Sequence, residues 1–116
     1  MTSLETALLA VKAMDSKKGI DIQVIEISDI SVLADYMVIA TGSSSTHVKA
    51  LADEVEYQLE EAGLRPDHVE GRATGWVVME YEGVVAHIFT EEARNYYNLE
   101  RLWEDAEKIN VEDILD

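Results

Sequence analysis

The densest set of chemically capable groups in the chain is Gly42-Ser43-Ser44-Ser45-Thr46-His47, which follows the apolar run Val38-Ile39-Ala40. A Gly-Ser pair between a strand and a helix can receive a nucleotide phosphate at the helix N-terminus. Carboxylates one residue apart, as in Glu80-Tyr81-Glu82, can hold magnesium. Together they would support nucleotidyl transfer. Two features oppose that reading: Glu82 falls in a tight turn where water solvates it, and no cationic cluster is present to hold a triphosphate. Asp35, Ser43, Ser44, Ser45 and His47 include the residue types of a hydrolase triad, but the Gly-x-Ser-x-Gly frame of such a site lacks its second glycine. His47, His68 and His87 are scattered over a helix start, a loop and a strand without ligand spacing, so neither a metal nor a cofactor is assigned. The favoured reading of the bend is architectural, a hydroxyl cap on a helix.

The elements that must position these groups follow from periodicity. Thr2-Ser3-Leu4-Glu5 is a capping box, and Leu4, Ala7, Leu8, Val11 and Met14 form one helical stripe that closes at Lys17-Lys18-Gly19, with the glycine suited to a left-handed cap. Ile20 to Ile27 is rich in β-branched residues and reads as a strand. Val32-Leu33-Ala34 reads as a helical turn before Asp35, Tyr36 and the second strand, whose Val38-Ile39-Ala40 core is apolar enough to be covered on both faces. After the bend, Val48, Leu51, Ala52, Val55, Leu59 and Ala62 repeat at helical spacing, and Gly63 ends the helix. Val69 to Gly75 reads as a short edge strand or extended loop. Trp76–Tyr81 and Val84–Phe89, separated only by Glu82-Gly83, must be an antiparallel hairpin. Thr90 caps a final helix, against which Tyr96, Tyr97, Leu99, Leu102 and Trp103 are expected to pack onto the sheet. The expectation is therefore an α/β (α+β) fold, a mixed β-sheet flanked by helices in a single domain over 1–116, with residues 107–116 a frayed tail.

Charge limits the partners. With 24 acidic and 9 basic residues the chain carries a net charge of −15, which repels phosphates, and its cations form no stripe, so direct nucleic-acid binding is not expected. A basic protein fits better. There are no cysteines, which excludes disulfides, thiol catalysis and cysteine-held zinc. No apolar run approaches a membrane span and no secretory leader pattern opens the chain, so the expected location is the cytoplasm. Trp76 and Tyr81 with Glu80 and Glu82 have the composition of a docking patch for a basic protein. Trp76 and Tyr81 lie on opposite strand faces, however, and core packing is the competing use of either ring.

The ordered pattern Asp35-Tyr36-x-Val38-Ile39-Ala40-Thr41-Gly42-x-Ser44-x-x-His47, Glu70-Gly71, Trp76 through His87-Ile88-Phe89, and Arg94-x-x-Tyr97-x-Leu99-Glu100-x-Leu102-Trp103 resembles the ribosomal silencing factor (RsfS, Iojap-like) family over nearly the whole chain. The resemblance implies a nucleotidyltransferase-like fold without the enzyme's catalytic acids, and therefore no enzyme. It implies a translation repressor that binds the large ribosomal subunit through its fourteenth ribosomal protein and obstructs subunit joining when nutrients are scarce. By matching position, Trp76, Val78, Glu80 and Tyr81 are the implied contact residues. Relatives commonly carry aspartate where this chain has Glu80, which keeps the charge and lengthens the reach. Asp35, Tyr36, Gly42, Ser44 and His47 are the structural elbow. Family members often dimerise, so a homodimer is a further expectation. The alternative is the nucleotidyltransferase-like enzyme with a Gly-Ser phosphate loop and magnesium.

Overall fold

The computed structural model describes residues 1–71 and 75–111. Helix α1 (Ser3–Ser16) is followed by strands β1 (Ile20–Glu26) and β2 (Tyr36–Gly42), helix α2 (Ser45–Glu61) and strands β3 (His68–Glu70), β4 (Trp76–Tyr81) and β5 (Val84–Thr90). Two short helices, α3 (Glu91–Tyr97) and α4 (Leu99–Leu102), and strand β6 (Glu107–Ile109) complete the order. The strands form one mixed sheet in the order β3-β4-β5-β2-β1-β6. Among the described residues only β2 and β5 pair in parallel, and their position at the centre explains why Val38, Ile39 and Ala40 are fully buried.

Helices α1 and α2 cover one face, over Val24, Val38, Ala40, Val77, Met79 and Ile88. On the other face Ile25, Ile27, Met37, Ile39 and Phe89 form a smaller cluster beneath Leu99 and Trp103. Burying each of the fully buried valine, isoleucine, methionine and phenylalanine side chains among them contributes about 1.5–3 kcal/mol before the entropy of ordering the chain is subtracted.

The capping box of α1 forms as expected, Thr2 Oγ1 accepting from Glu5 N–H and Glu5 returning to Thr2 N–H. Its buried stripe is rotated from the expected one. Thr6, Ala7, Ala10, Val11, Ala13 and Met14 face inward while Leu4 is exposed and Leu8 only half-buried, because three alanines let α1 approach its neighbours closely. The left-handed residue at its end is Lys18 (φ 62°), not Gly19. Gly19 is needed for space, since a Cβ there would lie 3.0 Å from the Met14 carbonyl oxygen.

The expected helical turn at Val32–Ala34 is absent. The chain turns earlier, where Ile30 and Ser31 N–H groups donate to the Ile27 carbonyl, and Ser31 Oγ then accepts from Leu33 N–H at 3.1 Å. The hairpin has the predicted two-residue turn, with Tyr81 paired to Val84 and Gly83 at φ 81°. Val69 lies in edge strand β3, and residues 72–74 of the expected strand or loop lie outside the described residues. Residues 107–109 are not frayed, because they pair antiparallel with Val24–Glu26, and residues 112–116 lie outside the description. Leu99 and Trp103 pack on the sheet as expected, but Tyr96, Tyr97 and Leu102 are exposed. Asn98 at φ 47° ends α3, and the Tyr97 ring, though about half exposed, still lies 4.4 Å from Trp76 on the sheet.

Candidate docking site

The serine-rich elbow is built as a cap. Ser44 Oγ accepts from His47 N–H at 3.1 Å, and Ser43 N–H donates to His47 Nδ1 at 2.8 Å. Nδ1 is therefore the acceptor and Nε2 carries the proton, which it donates to the Lys17 carbonyl at 2.8 Å. One imidazole thus ties the end of α1 to the start of α2. At Gly42 a Cβ would lie 2.8 Å from Val48 N, so the strand meets the helix too closely for any side chain. Asp35 accepts from Ser3 Oγ at 2.7 Å and anchors the start of β2 to α1. Tyr36 is half-buried; burial, then the Glu26, Asp35 and Glu107 carboxylates, raise its pKa.

The groups of the nucleotidyl-transfer reading are not brought together. Gly42 pairs with Thr90, whereas the hairpin turn adjoins Val84, six positions back along β5 (90 − 84), or roughly 20 Å. Beside Gly42 lies a cavity of about 410 Å³ lined by Asp21, Glu91, Arg94 and Glu100. Its arginine is already engaged. Arg94, 8% exposed, donates through Nε to Glu100 at 2.8 Å, and through Nη1 to Thr41 Oγ1 at 2.7 Å and to the Asp21 carbonyl at 2.9 Å. A phosphate there would meet three carboxylates. Among the described residues no three His, Asp or Glu side chains converge as a metal site, and no helix is long and apolar enough to cross a membrane.

Strand β4 divides the expected contact residues by parity. Val77, Met79 and Tyr81 face α1 and α2, and Tyr81 is only 5% exposed, so its ring supports the strand from behind. That corrects its assignment as a contact residue. Trp76 and Val78 are half-buried on the opposite face and Glu80 is exposed there. Trp76 lies 5.1 Å from the Phe89 ring and 4.4 Å from Tyr97, and its Nε1–H donates to His87 Nδ1 at 3.1 Å. Burial depresses His87 to about 4, so the ring is neutral at pH 7 and able to accept that hydrogen bond. Glu80 stands between Val85 and His68, and His68 pairs with Glu70 at 2.6 Å; this hydrogen bond raises the His68 pKa.

Sequence reasoning missed the Arg94 network and the exposure of Val32, Leu33 and Leu102. The signal for the loop pair was available: Val32-Leu33 stands between Ser31 and Asp35 without a periodic partner.

The family model described as "Ribosomal silencing factor during starvation" matches residues 1–116. A relative named ribosomal silencing factor RsfS from Halalkalibacterium halodurans is 35% identical over 116 residues, covering 99% of each chain. One of the same name from Bacillus subtilis is 39% identical, covering 84% of each. A crystal structure of a Chromobacterium violaceum protein matches with a TM-score of 0.87 and 37% identity, covering 90% of this chain and 88% of that one. Matched over residues 1–116 by the family model, and 35% and 39% identical to relatives over 99% and 84% of its length, the chain belongs to the ribosomal silencing factor family.

Proposed function

We propose that the chain represses translation in the cytoplasm by seating the open face of β4, with Trp76, Val78 and Glu80, on the fourteenth protein of the large ribosomal subunit. Occupying that surface keeps the small subunit from joining, so no bond is made or broken. The observation that carries this reading is the parity of β4: one set of side chains is sealed in the core, and the other places an indole and a carboxylate at the surface of a chain with a net charge of −15. A half-buried tryptophan on the same strand face as the exposed Glu80, in a chain this acidic, suits a cationic protein, since the ring supplies area and the field attracts and orients the partner.

Co-sedimentation with purified ribosomal particles tests the proposal. The protein is expected to pellet with isolated large subunits and not with assembled ribosomes. Equal recovery with both, or nucleotide turnover with magnesium that is abolished by Glu80→Gln, would overturn it.

A further inference from the structure

Next to Trp76 the sheet face dips into an apolar crevice of about 220 Å³, walled by the loop between β1 and β2 on one side and α4 on the other. Ile27, Met37, Trp76, Val85, Leu99 and Trp103 line it, while Leu33 and Leu102 stand at its mouth, 88% and 72% exposed. Val32 is exposed beside them. Neither wall is slack. The loop is held by the Ile27 and Ser31 hydrogen bonds, and α4 by the pairing of Arg94 with Glu100. Apolar side chains displayed on an ordered frame at the rim of an apolar hollow are the arrangement of a protein contact.

We infer that this crevice is a second anchor point of the docking face, which receives one bulky aliphatic or aromatic side chain from a basic segment of the ribosomal-protein partner. The inference rests on the function proposed above and adds the chemistry of the contact. Three observations select the occupant. The volume is below the ~300–1,000 Å³ of pockets that enclose small ligands, so it suits a side chain. The β1–β2 loop exposes Asp29, and the chain just after α4 exposes Glu104 and Asp105, against a single exposed cation in α4, Arg101, so the residues flanking the inserted side chain are expected to be lysine or arginine. The crevice is also continuous with the proposed interface, because Trp76 belongs to both.

The test measures the affinity of the full chain for the isolated fourteenth large-subunit protein, with folding verified by thermal unfolding and self-association followed by sedimentation. Leu33→Ser and Leu102→Ser alter exposed side chains and are expected to keep the fold while weakening binding by about tenfold or more each. Tyr57→Ser, on an exposed position of α2, is expected to leave affinity unchanged. Loss of binding in Trp76→Ala with wild-type affinity in both leucine variants overturns the crevice and leaves the proposed function standing. Leucine variants that dissociate a dimer without losing ribosomal-protein affinity overturn it as well, by making a second copy the occupant. If the unaltered chain binds neither this protein nor the large subunit, the proposed function fails and the crevice loses its assigned partner.

Discussion

Trp76 and His87 form a pair in which each depends on the other's state. The indole donates to an imidazole that accepts only while Nδ1 is unprotonated, and burial keeps it so by lowering its pKa to about 4 from 6.5. Between those values the unfolded chain holds more protons than the folded one. Stability is therefore complete above about pH 6.5 and falls as pH drops towards 4, by on the order of 2–3 kcal/mol. His68, raised by its hydrogen bond to Glu70, contributes in the opposite direction, so the comparison must be made between variants. Urea denaturation of wild type and His87→Gln across pH 4–7 is expected to show a shallower slope in the variant; equal slopes would remove His87 from this role. At the same location, Trp76→Ala is expected to lose about 2 kcal/mol or more of ribosomal-protein affinity while remaining folded. A folded variant with undiminished binding would exclude the indole from the contact.

Among the elements, the α3–α4 elbow depends on one buried cation. Arg94 joins α3 to the Asp21 carbonyl of β1, to Thr41 of β2 and to Glu100 of α4, across the left-handed Asn98. Removing it strands the Thr41 hydroxyl and the Asp21 carbonyl, although Glu100 is exposed enough to rehydrate in part. Arg94→Met is thus expected to cost about 2 kcal/mol by chemical denaturation, less than the ~3–5 kcal/mol typical when a fully buried pair is broken. Arg94→Lys is expected to recover only a fraction, because an ammonium lacks the planar fork that serves three partners. Full stability in Arg94→Lys would count against that geometry. The sequence showed Thr90 as a cap and a cation in the helix, but not this network, because its members are 53 and 73 positions apart.

For the whole molecule, 24 acids against 9 bases produce a field that acts before contact. Association with a basic ribosomal protein is expected to be fast at low salt and to slow steeply as ionic strength rises, read by stopped-flow mixing over a salt series. An on-rate indifferent to salt would remove steering from the mechanism. The same charge accounts for the use made of the Gly42 cavity, where Asp21, Glu91 and Glu100 surround an arginine already bound, leaving no cation there to attract a phosphate.

Much of the fold could be read along the chain because its causes are local. The Thr2 box, the Ser44 and Thr90 caps, the heptad-like spacing of α2 and the Glu82-Gly83 turn each depend on residues within a few positions of one another. Alternation alone also separated Trp76 from Tyr81, since neighbouring strand positions must face opposite ways. Which of those faces α1 and α2 would cover was a tertiary matter, as were the inward turn of α1's alanines, the anchoring of β6 and the outward turn of Leu102. These outcomes depend on which surfaces meet in space, and elements brought together by packing need have no proximity in sequence.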